Sequence, residues 1–315
     1  MFKKLLVVFM IVGVILIVIG LILIGGNFNK FIDSFNSEKD YSLVEKEDDG
    51  EVKELLIKMR SGDVVFHPYD SLGYKLSFYE SEYDIKKVTF ENNILSIDNQ
   101  IKTRFRFFNF TFNSDKINTL NVYIPNTFKG KASIETSSGD IEIRDFNFTT
   151  LKINVSSGTV ILDKVEVSGD TSISTSSGDV ELSSFISNSL VSKSSSGEIK
   201  LNKATINKTI LKSSSGSIKI SESNVGSVTI DTSSGNVDLM NIEISDADID
   251  LSSGNAKLKI IGQESEFKTD AKTSSGSIYY QGKRIAGSIY DPDGNKSLKV
   301  RCSSGNIRID FIINN

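Results

Sequence analysis

The sequence predicts an all-β protein: a single-stranded β-solenoid (β-helix) of ~19-residue coils, with an N-terminal β cap and one transmembrane helix ahead of it. Three observations carry this expectation. Nine Ser-Ser-Gly tripeptides recur at a nearly constant interval, apolar residues alternate around each of them, and an unbroken apolar run opens the chain.

The tripeptide glycines are Gly139, Gly158, Gly178, Gly197, Gly216, Gly235, Gly254, Gly276 and Gly305; six successive intervals are 19 or 20 residues and the last two are 22 and 29. The second and fourth residues after each glycine run from Ile141 and Ile143 to Ile307 and Ile309, and all eighteen are apolar or aromatic. With 38% of residues hydrophobic, an unpatterned chain would achieve this with a probability on the order of 10⁻⁸. Most of the residues between them, such as Glu142, Glu181, Lys200 and Lys219, are charged. That alternation describes a strand with one face in and one face out.

A second strand runs into each tripeptide, with Ile134, Ile153, Ile173, Leu211, Ile230 and Ile249 five residues before their glycines. Each repeat therefore reads as strand, tight corner, strand, return loop. Glycine suits the corner because it adopts positive φ without steric cost, and serines can hydrogen-bond their own backbone there. One coil cannot stand alone: each buried aliphatic contributes about 1.5–3 kcal/mol, whereas ordering the backbone costs roughly 1–2 kcal/mol per residue. Stacking in register at about 4.8 Å supplies the missing burial and makes a rod roughly 40 Å long. Successive antiparallel hairpins are the competing geometry; identical corners at equal spacing favour coils.

Residues 55–66 carry the same register with Gly62 at the corner, 77 residues before Gly139. Close to four periods separate them, so residues 55–127 are expected to hold degenerate coils or strands that cap the solenoid proper, residues 128–315. Within the cap, Phe105, Phe107, Phe108, Phe110 and Phe112 form either cap core or an exposed strip facing a partner or membrane. An insertion at about 281–299, with Pro292 and Asp293-Gly294, is expected to fold over the last coil and blunt its open edge. The alternative is an unblocked end that stacks on another copy, a route to self-association.

Leu5 to Ile24 is twenty residues without a charged or polar side chain, long enough to cross the hydrocarbon core as a helix. Lys3 and Lys4 place residues 1–4 in the cytoplasm and the C-terminal domain outside, at the cell membrane, as a single-pass anchor. Residues 25–54 are expected to be an acidic stalk: from Glu38 to Glu54 eight acids face three lysines. That excess of five exceeds the net charge of −4 for the whole chain, so the remainder is near neutral and lacks the basic stripe that nucleic acid needs.

Catalytic patterns are missing. Cys302 falls in a column otherwise filled by Thr, Ser, Val and Leu and reads as a small core residue. His67, the sole histidine, sits at an outward position and alone cannot build a zinc site or a Ser-His-Asp unit. Only three of the nine residues that follow the tripeptide glycines are acidic, which does not make a calcium repeat. No cofactor, metal or catalytic residue is expected.

Arg60-Ser61-Gly62-Asp63-Val64, Leu120-Asn121-Val122-Tyr123-Ile124-Pro125 and Thr136-Ser137-Ser138-Gly139-Asp140-Ile141 with its repeats resemble the bacterial "putative adhesin" domains of unknown function, also called toast-rack domains. The likeness covers about 55–315. It implies surface display and a binding or sensing role, since members are often single-pass or lipoprotein envelope proteins, some beside genes for membrane or wall stress. It brings no catalytic residues.

The expectation is a non-enzymatic, membrane-anchored, extracytoplasmic β-solenoid serving adhesion or envelope-stress sensing. Its partners would be the membrane through residues 5–24, and wall polymer, lipid or an envelope protein. A carbohydrate-active enzyme on a β-helix and a self-assembling surface scaffold are the alternatives.

Overall fold

The computed structural model describes residues 41–101 and 118–313, together with Gly13. From Tyr41 onward these residues form twenty-seven strands, and one short 3-10 turn at Glu264–Glu266. Among the described residues no helix is long and apolar enough to cross a membrane. Residues 5–24, apart from Gly13, and the phenylalanines at 105, 107, 108, 110 and 112 lie outside the described residues.

The Gly158 coil shows how one repeat is built. Strand Thr150–Ser157 leads into the glycine, and strand Val160–Asp163 leaves it. Val160 and Leu162 are buried while Ile161 between them is half-exposed. The strands that follow each glycine pair in parallel from coil to coil, Ile141 beside Val160 beside Val180 beside Ile199 beside Ile218. Those that precede the glycine form a second parallel sheet, with Ile134 beside Ile153 beside Ile173. Parallel pairing between equivalent positions rules out the hairpin geometry, and one continuous apolar core runs from Val52 to Ile309.

The expected return loop is a strand-bearing third side instead. Six residues after the glycine, Asp145, Lys164, Ser184, Lys203, Glu222 and Asn241 adopt left-handed φ between 48° and 60°. This second corner turns the chain inward again, and Phe146, Val165, Phe185, Ala204, Ser223 and Ile242 are buried directly after it. Two residues further on, Phe148, Val167, Ile206 and Val225 are buried as well, and Asn147–Phe148 pair in parallel with Glu166 and Val167. The polar members of these columns are satisfied: Ser223 Oγ accepts from the Ala204 N–H at 3.0 Å and donates to the Ser221 carbonyl at 2.6 Å. Short apolar pairs diluted by Ser and Ala hid this side from periodicity.

The ends depart from chain order. At the N-terminal end the Gly62 coil, Glu54–Met59 and Val64–Pro68, pairs with the Gly139 coil on one side. On its other side lie Ile94–Ile101 and Leu120–Ile124, which form the outermost coil. Antiparallel strands then close the edges: Asp84–Glu91 on one sheet, Tyr74–Glu80 followed by Ser42–Asp48 on the other. The degenerate coils or strands expected over 55–127 are thus, among the described residues, one further coil plus antiparallel strands.

The acidic stalk expected over 25–54 is corrected over its described part, residues 41–54, while residues 25–40 lie outside the described residues. Its residues Ser42–Asp48 are an edge strand, held along its length to Tyr74–Glu80, with Glu45 bonded to Lys75 at 2.9 Å. An edge strand buries little apolar surface and presents charge to deter further pairing, so its composition matches that of a solvated linker.

At the C-terminal end the Gly305 coil, Lys296–Ser304 and Ile307–Ile312, lies between the Gly254 and Gly276 coils. The insertion expected to cover the last coil contributes Lys283–Ile285 and Ser288–Asp291, which pair antiparallel with the Gly276 coil. That coil, not the chain's final one, is outermost.

Candidate functional surface

Ten corner glycines, including Gly62, form one ridge along the rod. A Cβ added to any of them would overlap the backbone carbonyl of the adjacent coil: Gly216 would meet Gly197, Gly139 would meet Gly62, and Gly305 would meet Gly254. Six of the ten have positive φ, whereas Gly178, Gly197, Gly216 and Gly235 do not. Close approach of backbone to backbone is therefore the common requirement, and left-handed φ is secondary.

Two hydrogen-bonding patterns occur at the corner. In the first, the Gly139 N–H donates across to the Ser157 carbonyl of the next coil at 3.0 Å, and Gly235, without positive φ, likewise donates to the Ser253 carbonyl at 3.1 Å. At Gly178, Gly197 and Gly216 the N–H donates instead to the hydroxyl three residues back, Thr175, Ser194 and Ser213, at 2.9, 2.8 and 2.8 Å. The residue after the glycine adds a side-chain ladder. Asp63, Asp140, Asp179 and Asn236 each accept the backbone N–H of the equivalent residue one coil on, at 2.8, 2.7, 2.7 and 2.9 Å. Near the C-terminal end this ladder runs from Asn255 to Asn306 to Ser277, following space and not chain order. These Asp and Asn side chains are structural, a role that their mixture of acids and amides did not disclose.

Outward of the two sheets, charges fall into register with one another. Arg144 donates to Glu142 at 2.6 Å and reaches Asp163 at 3.5 Å; Lys212 pairs with Asp231 and Lys219 with Glu198, at 3.6 and 2.6 Å. Each such exposed pair contributes little to stability. Hydrogen bonding to Glu198 raises the Lys219 ammonium above its ordinary range. No ion pair engages Lys200, Lys257 or Lys259 among the described residues; Lys200 lies at the middle of the sheet that follows the glycines, and Lys257 and Lys259 lie nearer its C-terminal end. The proximal half of that sheet carries Glu142, Asp163 and Glu181.

The remaining reactive groups are accounted for by packing. Cys302 is buried, its thiol donates to the Gly254 carbonyl at 3.3 Å, and burial pushes its pKa up, away from the reactive thiolate. His67 is half-buried on the outer side of the sheet, bonded to Asn121 at 2.8 Å and stacked on Tyr123 with 4.7 Å between centroids. Burial pushes the Tyr280 phenol up to about 12. Among the described residues no group of three His, Cys, Asp or Glu side chains could hold a metal ion. Two open depressions mark the outer face of the sheet before the glycines, one beside Lys58, Lys87 and Asp98, the other beside Asp231, Asp250, Lys272 and Arg301.

A family model described as Toastrack DUF4097 matches residues 52–240 and 184–313. The chain belongs to the Toastrack DUF4097 family. Its matched residues begin at Val52, so the toastrack unit includes the Gly62 coil and the interleaved C-terminal coil. Among solved structures, the toastrack chain is similar to a "putative adhesin" from Bacteroides fragilis at 13% identity, covering 85% of this chain and 97% of that one, with a TM-score of 0.44. A "putative adhesin" from Parabacteroides distasonis aligns at 14% identity over 86% and 97% with a TM-score of 0.44. A "putative cell adhesion protein" from Clostridium sporogenes aligns at 13% identity over 86% and 99% with a TM-score of 0.22. No curated protein matches the toastrack chain.

Proposed function

We propose that this toastrack protein is a non-enzymatic binding module, tethered to the outer face of a bacterial cytoplasmic membrane by residues 5–24, that works in adhesion or envelope-stress sensing. One observation carries the reading: two parallel sheets hold outward side chains in fixed register over many coils, a surface suited to repeated contacts. Lys200, Lys257 and Lys259, which no ion pair engages among the described residues, face outward on the sheet that follows the glycines. They suit a wall polymer bearing acidic groups better than neutral glycan, lipid or an envelope protein.

Protease added to intact protoplasts is expected to digest residues 41–313; protection of the domain would place it on the other side of the membrane. Purified cell walls are expected to retain the protein, with retention falling as salt rises and lost in the Lys200→Gln, Lys257→Gln, Lys259→Gln triple variant. Turnover of a wall glycan that disappears in Asp250→Asn would replace this reading with a hydrolytic one, because Asp231 and Asp250 lie in register on adjacent coils.

A further inference from the structure

The Gly254 and Gly276 coils are consecutive in the chain, yet they do not touch along their sheets, because the final coil lies between them. Strand Lys296–Ser304 pairs in parallel with Val237–Ser253 on one side and with Phe267–Ser275 on the other. Ile307–Ile312 likewise separates Ala256–Ile261 from Ile278–Tyr280. Chain length does not force this. The interval from Gly254 to Gly276 is 22 residues against 19 or 20 elsewhere, and the three-residue turn Glu264–Glu266 absorbs the excess. The Gly276 coil could therefore close directly on the Gly254 coil.

The inserted strand also relieves one like-charge contact. Asp248 and Asp270 occupy the same outward position, six residues before their glycines, so direct closure would set like charges opposite each other. The inserted strand places Lys299 against Asp248 at 3.0 Å and Arg301 against Asp270 at 2.7 Å, while Lys296 donates to Glu266 at 2.6 Å. Inward, Leu298, Val300 and Cys302 complete the core between the two neighbours. The gap thus selects a strand with aliphatic residues on one face and cations on the other, followed by a glycine corner.

Residues 281–295, which connect the outermost coil to this strand, are largely exposed. Gly282 and Gly287 within them have φ of 74° and 82° and nothing within 4 Å of an added Cβ. Lys283–Ile285 and Ser288–Asp291 stay paired with the outermost coil, so a change of path falls on the exposed residues 292–295.

We propose that the gap between the Gly254 and Gly276 coils is a strand-acceptor slot, and that residues 296–312 are a transferable donor which a second copy of this chain supplies in exchange. Insertion from the same chain and from a second copy makes the same contacts, so the two differ only in the path of residues 292–295 and in the cost of association. The short connection gives the chain's own donor a high effective concentration, so dilute protein is closed. Crowding on a membrane favours exchange, and the many strand bonds that must open make the exchanged pair slow to separate. The result is a homotypic link between neighbouring molecules at the end of the rod farthest from its first coils.

The single cysteine gives a direct test on the full-length chain in detergent. Cys302 lies in register with Thr273 on one side and with Leu251 on the other. A Thr273→Cys, Cys302→Ser chain is mixed with the wild-type chain, and the pair is unfolded and refolded together under reduction at rising concentration, then oxidised. Neither chain can form an internal disulfide, so a crosslink between them requires the wild-type donor to occupy the variant's slot. The expected result is a covalent dimer whose yield grows with refolding concentration and is lost when Thr232→Cys, one coil beyond the slot, replaces Thr273→Cys. Wild-type protein treated alike should keep a dimer peak on dilution. If Thr273→Cys does not fold, Leu251→Cys with Cys302→Ser reports the same contact from the other side. Equal crosslinking at 232 and 273, a dimer without the crosslink, or monomer at every concentration overturns the proposal.

Discussion

From Gly158 to Gly235 every coil lies against the coils that precede and follow it in the chain, whereas at the C-terminal end the chain skips a place, builds the outermost coil and returns to fill the gap. At the N-terminal end it builds the Gly62 coil, then the outermost one, and crosses back to the Gly139 coil. The difference teaches that a repeat specifies its nearest neighbours but not its termination. A coil in the centre has burial and hydrogen bonds on both sides, while a terminal coil in simple order would have one open side and peel away first. Interleaving makes the chain-terminal coil a central one and leaves the exposed edges to short antiparallel strands.

Glycine substitutions break this comparison most sharply. Gly216→Ala sets a Cβ into the Gly197 carbonyl within a ladder that cannot yield, and is expected to cost about 5 kcal/mol or abolish folding, as read from urea midpoints. Gly282→Ala, in the open terminal connection, is strained only by its φ of 74° and should cost about 1 kcal/mol. Equal losses at the two sites would remove the distinction between centre and end.

Phe185 comes next, fully buried behind the second corner. Phe185→Ala should cost about 3–5 kcal/mol; a loss near zero would return this side to a loop. Asp179→Ala removes the acceptor of the Glu198 N–H and should cost about 1 kcal/mol by thermal melting. Lys164 holds a left-handed φ of 51° that asparagine tolerates better, so Lys164→Asn should stabilise by a few tenths of a kcal/mol, roughly a degree or so in Tm.

The smallest effect concerns the interleaved end. Hydrogen bonds from Lys296 and the Gln263 backbone hold the Glu266 carboxyl below its ordinary range. A depressed carboxyl stabilises the fold above its unfolded pKa, and that contribution is lost as pH falls through the folded value. Glu266→Gln should therefore lower stability at neutral pH, with the gap closing as the solution passes below the carboxylate range; a gap independent of pH would point to packing alone.

Much of the centre was legible before any coordinates. Ile141 and Ile143 with their equivalents marked the inward columns, and the Ser-Ser-Gly interval marked the corner and the parallel stack. The second corner was not legible, because Asp145, Lys164, Ser184, Lys203, Glu222 and Asn241 share a backbone angle and no side-chain chemistry. The ladder of Asp63, Asp140, Asp179 and Asn236 was seen only as a failed calcium pattern, since a hydrogen bond to the next coil needs an oxygen and is indifferent to charge. The strand Ser42–Asp48 was hidden in acidic composition for a related reason: an exposed edge makes its bonds with backbone.

Local alternation and a constant interval were enough to establish coils, their inward faces and their parallel stacking, because each depends on residues close in sequence or one period away. Which coil lies beside which at the two ends, and why the ridge must be glycine even where φ is ordinary, were decided only by tertiary packing. Both depend on backbone atoms meeting across 51 or 77 residues, from Gly254 to Gly305 and from Gly62 to Gly139, and no period in the chain encodes that meeting.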